Sequence, residues 1–219
     1  MSFLIFGHRG SPKRFPENTV ASFEEALRAG ADGFETDLRL LHDQTPILFH
    51  DDELNEREIE SLSAGAFASL TRVRDLARFA GRATMILEVK RGGWEDILCS
   101  EVSAWPNIIV ASFDHTLIAE LARRNVTFPL GLTVAGAIAD AASYTKRLNA
   151  SWFFPGWRYV TRELVDELHA HDIKVVPWTP NRQRDWERLR DIGCDGAITD
   201  DPAEAVAWRN EARGTRHEA

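Results

Sequence analysis

The pattern of this chain is that of an α/β protein, expected to close as a TIM-type (β/α)8 barrel with a short hairpin and a small insertion after the second strand. Short β-rich runs alternate with helical patterns through eight successive units, and such alternation builds a parallel sheet. Eight units in one chain favour a closed barrel over an open doubly wound sheet. The length of 219 residues suits one barrel, which runs from about 200 residues upward. No linker-like stretch interrupts the alternation, so residues 1–219 are read as a single domain.

The elements follow in order. Phe3–Gly7 reads as the first strand. Thr19–Ala29 reads as a helix, with Val20, Phe23, Ala26 and Leu27 on one face and Gly30 as its stop. Gly33–Asp37 is the second strand. Ile47–His50 is strand-like too, but only His42-Asp43-Gln44-Thr45 separates it from the end of the preceding run. So short a connection cannot carry a parallel crossover and suits a hairpin. His50 then returns to the level of Asp37. Asp52–Ala80 reads as an irregular excursion over the barrel mouth, helical near Leu76–Phe79. The remaining strands are expected at Thr84–Lys90, Ile108–Ser112, Phe128–Leu132, Trp152–Phe154, Ile173–Trp178 and Gly196–Thr199. The helices between and after them are expected at Trp94–Ala104, His115–Arg124, Gly136–Leu148, Arg162–His171, Arg184–Ile192 and Ala203–Arg209. The polar tail from Asn210 to Ala219 is expected to fray.

Barrel active sites gather at the C-terminal ends of the strands, and that is where the chemistry-bearing residues fall. His8 ends the first strand. Glu35 and Asp37 end the second, and their i, i+2 spacing puts both side chains on one face, about 7 Å apart along the strand. Glu88 and Lys90 repeat the spacing on the next parallel strand. Three carboxylates with no cysteine nearby suit a hard divalent cation, Mg²⁺ or Ca²⁺. Two histidines can move protons, and Arg9 can neutralise a phosphate. Each residue has a plainer reading: Glu-x-Asp as a salt-bridged edge, a strand-end histidine as a structural donor, Lys90 as the partner of Glu88, Arg9-Gly10 as turn chemistry. Their convergence on one end of one barrel favours the catalytic reading, and the pattern points to phosphodiester hydrolysis.

Composition narrows the partners. The net charge of −8 argues against nucleic acid, which needs a basic face. No apolar run approaches the ~18 residues needed to span a bilayer, so no stable membrane insertion is expected. Met1–Phe6 is too short for a signal peptide. The two cysteines, Cys99 and Cys194, have no metal-like spacing and fit a reducing, cytoplasmic setting.

His8-Arg9-Gly10, Pro16-Glu17-Asn18-Thr19, Gly30-Ala31-Asp32, Glu35-Thr36-Asp37, His50-Asp51 and Glu88-Val89-Lys90 resemble, in order, the motifs of the glycerophosphodiester phosphodiesterases. Ser112-Phe113-Asp114, Trp178-Thr179-Pro180-Asn181 and Asp195-Gly196-Ala197-Ile198-Thr199-Asp200 continue the similarity over nearly the whole chain. The resemblance implies a cytosolic barrel enzyme of glycerol and lipid metabolism, a hydrolase that converts small-molecule glycerophosphodiesters to an alcohol and glycerol 3-phosphate. It implies Glu35, Asp37 and Glu88 as metal ligands, His8 and His50 as the acid–base pair, and Arg9 and Lys90 as phosphate contacts. Two stretches depart from the family pattern: Asn55-Glu56-Arg57-Glu58 stands where a threonine-rich stretch is expected, and Pro46 where the turn usually carries glycine.

Phe113, Trp178 and Glu17 are candidate pocket-lining residues. Trp94, Trp105, Trp152, Trp186 and Trp208 read as packing residues, and His115, His169 and His171 as surface histidines. Phe153-Phe154-Pro155-Gly156-Trp157 reads as an aromatic loop at the barrel top, a buried anchor, with a surface facing a head group or a membrane as the alternative. The attacking oxygen is either water or the substrate's own hydroxyl. Two other functions fit the same residues: a lysophospholipase D-like hydrolase acting on lysolipids, and an inactive phosphodiester-binding barrel.

Overall fold

The computed structural model describes residues 3–66 and 70–214. Its strands are β1 (Leu4–Gly7), β2 (Gly33–Leu40), β3 (Pro46–Leu48), β4 (Glu53–Leu54), β5 (Arg57–Glu58), β6 (Thr84–Val89), β7 (Ile108–Ser112), β8 (Leu130–Val134), β9 (Trp152–Pro155), β10 (Lys174–Val175) and β11 (Gly196–Thr199). Eight of them run parallel in the order β10-β9-β8-β7-β6-β2-β1-β11. The ring closes between its two ends: Asp195 N donates to Val175 O at 2.9 Å, Ile198 N donates to Pro177 O at 2.9 Å, and Trp178 bridges Ile198 in parallel. The expected barrel is therefore present.

Strand alternation divides the core in two. One side chain of each pair points outward, where Phe34, Val89, Leu132 and Phe153 meet the helices. There Phe23 stacks on Phe34 at 4.2 Å, and Phe79 meets both edge-on at 5.8 and 5.1 Å. The other points inward, where Phe6, Ile86, Ile109, Ala111, Trp152, Phe154, Val176 and Ile198 plug the barrel. The next inward positions toward the C-terminal end are His8, Glu88, Phe113, Trp178 and Asp200. The plug fills the lower barrel, and the same parity aims polar groups at the mouth.

The helices are α1 (Val20–Arg28), α2 (Glu95–Val102), α3 (His115–Arg123), α4 (Ala141–Arg147), α5 (Arg162–His169), α6 (Gln183–Asp191) and α7 (Pro202–Gly214). Side chains satisfy several of their first N–H groups: Thr19 accepts from Ser22 N, Asp114 from Thr116 N and Leu117 N, and Thr161 from Leu164 N. Pro202 opens α7 behind Asp201, whose Oδ1 accepts from Glu204 N at 3.1 Å.

The excursion is helical where expected, as a 3-10 run over Val73–Phe79 that buries Val73, Leu76 and Phe79. Three expectations are corrected. The strand expected over Ile173–Trp178 is regular only at Lys174–Val175, because Pro177 brings no N–H to the ladder. The fourth helix begins at Ala141 rather than Gly136, after Asp140 turns left-handed at φ 53°. The last helix does not end at Arg209 but continues to Gly214, so that part of the expected frayed tail is helical; residues 215–219 lie outside the described residues.

The hairpin forms as expected. β3 pairs antiparallel with β2 through Leu38–Leu48 and Leu40–Pro46. Phe49 N donates to Asp37 O at 3.0 Å, which sets His50 beside the end of β2. Leu41, Ile47, Ile59 and Leu62 give the excursion a small core of its own, and β4 and β5 form a second small hairpin within it. The aromatic stretch is a barrel strand running into a turn, with Phe153 and Phe154 each 1% exposed. Among the described residues, no helix is long and apolar enough to cross a membrane.

Candidate active site

The loop after β1 is built around two left-handed residues, Arg9 at φ 52° and Gly10 at φ 92°. Gly10 must lack a side chain, since a Cβ there would lie 2.4 Å from Ser22 Oγ. That same hydroxyl ties the loop to α1, accepting from Ser11 N at 2.6 Å and donating to Arg9 O at 3.1 Å. The turn aims Arg9 into the barrel. Its backbone N donates to Glu35 Oε2 at 3.0 Å, and its Nε lies 3.2 Å from Asp37 Oδ2. Its Nη1 donates to both Glu17 oxygens at 3.0 Å.

The three acidic side chains point to one place. One oxygen from each of Glu35, Asp37 and Glu88 lies within 4.8 Å of the others, and all three residues are buried. Lys90 Nζ sits between two of them, 2.6 Å from Asp37 Oδ1 and in contact with Glu88 Oε1. Asn18 braces the cluster: its Nδ2 donates to Asp37 Oδ2 at 2.9 Å, and its Oδ1 accepts from Thr36 Oγ1 at 2.7 Å.

Burial, reinforced by Asp37 and Glu88, pushes the Glu35 carboxyl well above the ordinary glutamate range. Burial also works against ionisation of Asp37, but Lys90, Arg9 and the Asn18 amide outweigh it and hold that carboxyl below its ordinary value. The Lys90 ammonium and Arg9 guanidinium lose hydration as well; their carboxylate neighbours more than compensate and keep both charged. The donor set fits a divalent cation: hard carboxylate oxygens from three residues, preassembled and short of positive charge.

His8 reaches this cluster from β1. Its Nε2 is 4.0 Å from Glu35 Oε2, and its Nδ1 is 2.6 Å from Asp200 Oδ1. Asn181 in turn orients Asp200, its Nδ2 donating to Asp200 Oδ2 at 2.6 Å and its Oδ1 accepting from Asp200 N at 2.9 Å. His50 arrives from the hairpin with Nδ1 2.7 Å from Asp51 Oδ1. Buried Arg39 anchors that end of the hairpin, donating from Nη2 to His50 O at 2.9 Å and to Asp52 Oδ1 at 2.6 Å, and from Nη1 to Glu60 Oε1 at 2.5 Å.

A cavity of about 170 Å³ opens above the plug. His8, Arg9, Glu35, Asp37, His50, Glu88 and Lys90 all line it, as do Phe113 and Trp178, which meet edge-on at 5.5 Å. Glu17 is the exception among the expected site residues. It lies in an adjoining hollow with Pro12 and Lys13 and touches the site through Arg9. His115 also differs from its expectation: it is half-buried at the start of α3, with Nε2 3.1 Å from Thr133 O and Nδ1 3.0 Å from Tyr144 Oη. His169 and His171 are exposed as expected. Sequence reasoning gave no site role to Asn18, Asn181, Asp200, Arg39 or Thr133. Asp200 was open to discovery, since it shares the inward parity of Ile198; the two asparagines stand in the quoted motifs Pro16-Glu17-Asn18-Thr19 and Trp178-Thr179-Pro180-Asn181, but only the fold brings them to their partners Asp37 and Asp200.

The family comparison agrees with this geometry. The model of the glycerophosphoryl diester phosphodiesterase family matches residues 8–78 and 80–204. This chain belongs to that family. Among its phosphodiesterase relatives, the glycerophosphodiester phosphodiesterase of Caldanaerobacter subterraneus is 28% identical over 92% of this chain and 96% of its own length. That of Bacillus altitudinis is 27% identical over 95% and 99%. The fold matches the glycerophosphodiester phosphodiesterase of Thermotoga maritima with a TM-score of 0.84 at 21% identity, over 94% of this chain and 98% of that one. It also matches an Oleispira antarctica phosphodiesterase, solved with its product sn-glycerol-3-phosphate, with a TM-score of 0.87 at 19% identity over 94% and 96%. The family's enzymes are phosphoric diester hydrolases, the class to which the sequence motifs pointed.

Proposed function

We propose that this enzyme hydrolyses glycerophosphodiesters to an alcohol and sn-glycerol 3-phosphate, with Mg²⁺ or Ca²⁺ held by Glu35, Asp37 and Glu88 and with His8 and His50 as its acid–base pair. The supporting observation is the meeting of three buried carboxylates, two cations and two imidazoles on one cavity. The product bound to the Oleispira antarctica relative is consistent with the product class.

A phosphodiester anion repels nucleophiles and gives up a poor alkoxide. Arg9 and Lys90 supply fixed positive charge to the non-bridging oxygens as negative charge accumulates there. One histidine takes the proton of the attacking oxygen, the P–O bond to the departing alcohol breaks, and the other histidine protonates that oxygen. His8 enters from the barrel wall and His50 from the hairpin, an arrangement suited to flanking one phosphorus. When bound, the cation supplies Lewis-acid polarisation of the phosphoryl group. Phe113 and Trp178 offer apolar faces to the carbon skeleton of the substrate. The acidic surface, with a net charge of −8, fits a small substrate rather than nucleic acid, and the unpaired thiols of Cys99 and Cys194 suit the cytoplasm.

A panel of glycerophosphodiesters, assayed for released glycerol 3-phosphate with several divalent ions, tests this function. Turnover is expected to vanish with chelator and return with Mg²⁺ or Ca²⁺; full turnover after exhaustive metal removal rejects the carboxylate cage. His8→Ala and His50→Ala are each expected to lower kcat by roughly 10²–10⁴-fold, and near-wild-type turnover in either removes that histidine from the reaction.

A further inference from the structure

The cavity has two unlike halves. His8, Arg9, Glu35, Asp37, Glu88 and Lys90 charge the side built by β1, β2 and β6. Phe113, Phe154 and Trp178 form the opposite wall, and Ile198 lies in the floor on β11, next to β1. One buried polar atom interrupts that apolar wall. Thr133 stands near the end of β8, four strands round the barrel from β1. Its parity, shared with Gly131, turns the side chain inward while Leu130, Leu132 and Val134 pack outward.

Thr133 is only 3% exposed, it lines the cavity, and its Oγ1 has no hydrogen-bond partner among the described residues. A buried hydroxyl without a partner is costly, and native interiors seldom keep one. Valine would fill the same shape without that cost. Local structure does not supply the missing bond: the nearby imidazole of His115 is engaged with the Thr133 carbonyl and with Tyr144. Thr179, the other hydroxyl on this side, is half-buried rather than sealed from water.

A glycerophosphodiester divides in the same way as the cavity. Its phosphate suits the charged side, and its glycerol unit, with C–H edges and free hydroxyls, must then lie along the aromatic side. A threonine hydroxyl both donates and accepts, so it matches an alcohol. Resting on the function proposed above, we infer that Thr133 Oγ1 hydrogen-bonds a free hydroxyl of the glycerol unit and selects diesters that carry one.

The test compares sn-glycero-3-phosphocholine with bis-p-nitrophenyl phosphate, a diester with no free hydroxyl, on the metal-loaded enzyme. In Thr133→Val, the ratio of kcat/KM for the glycerol substrate to that for the nitrophenyl substrate is expected to fall about 10-fold, the worth of one lost neutral hydrogen bond. Thr133→Ser should restore the ratio. Inhibition by glycerol 3-phosphate should weaken in the valine variant by a similar factor, relative to inhibition by inorganic phosphate. An unchanged ratio, or equal losses on both substrates, overturns the inference and leaves the proposed hydrolysis standing. A wild-type enzyme that cleaves only the nitrophenyl diester overturns the proposed function instead. Should the valine variant fail to fold, Thr133→Ala removes the same hydroxyl, and its ratio decides in the same way.

Discussion

Replacing Asp200 by asparagine isolates one oxygen-to-nitrogen contact behind His8. Asp200 Oδ1 is 2.6 Å from His8 Nδ1, so in the neutral ring Nδ1–H donates to the carboxylate and Nε2 faces the cavity with its lone pair. Burial pushes the Asp200 carboxyl up, but the hydrogen bond from His8, with Asn181 and Arg9, outweighs it and holds the group below its ordinary value. An anion is therefore available to steady the imidazolium once Nε2 takes a proton. Asparagine keeps the shape and the Asn181 neighbourhood but removes the charge, and its amide can favour the opposite tautomer. A hydrogen bond to a charged group contributes about 1.5–3 kcal/mol. At about 1.4 kcal/mol per decade of rate, that is roughly a 10- to 150-fold loss in kcat/KM.

The assay is glycerol 3-phosphate release by Asp200→Asn, by His8→Ala and by the double variant. If Asp200 acts through His8, the double variant is no slower than His8→Ala alone, because groups that work as a unit are not additive. Losses that multiply, or full activity in Asp200→Asn, refute the positioning role.

Three further outcomes follow from the packing and the charges. Arg39→Ala leaves Asp52, Glu60 and the His50 carbonyl without their shared donor; it is expected to cost about 1–3 kcal/mol in a denaturant melt and to lower kcat more than it raises KM, whereas an unchanged kcat separates the anchor from catalysis. Phe34→Ala opens a cavity at a fully buried ring between Phe23 and Phe79, with an expected loss of about 3–5 kcal/mol by urea unfolding. Mg²⁺ or Ca²⁺ at about 100 times its dissociation constant should stabilise the wild type by about 2.7 kcal/mol in a thermal melt, and Glu88→Gln should abolish most of that gain; an equal gain in the variant removes Glu88 from the ligand set.

The barrel and the carboxylate cluster were legible because both follow from local spacing. The i, i+2 pairs Glu35/Asp37 and Glu88/Lys90 needed only strand alternation to face inward together, and β2 and β6 then set Asp37 directly beside Glu88. The hairpin was legible because its connection is too short for a crossover. Other features were hidden for physical reasons. The bond between His8 and Asp200 spans 192 residues and exists only because the barrel closes β11 against β1. Asn18 acts through a left-handed backbone at φ 55° that aims its amide at Asp37, and no periodicity encodes that angle. Thr133 lies just past the strand expected over Phe128–Leu132, and only the observed strand, Leu130–Val134, turns it inward. Glu17 lies in a conspicuous motif, yet the turn that aims Arg9 inward leaves Glu17 outside to pair with it.

One alternation rule therefore produces both the core and the site, and depth decides which of them a given inward residue serves. Low in the barrel the interior is closed on every side, so only apolar groups are affordable there; Phe6, Ile86 and Ile198 occupy that layer. One inward step higher on the same strands stand His8, Glu88 and Asp200. These can carry charge because the mouth admits water and a ligand. The plug also forms the floor of the cavity, and an apolar floor strengthens each charge interaction above it by lowering the local dielectric. The two layers consequently respond differently to substitution. Ile86→Ala should reduce stability and leave the pH dependence of turnover in place, while Glu88→Gln, two residues along β6, should spare the melt of the metal-free protein far more than it spares activity. A plug substitution that removed activity without lowering stability would break this division between floor and rim.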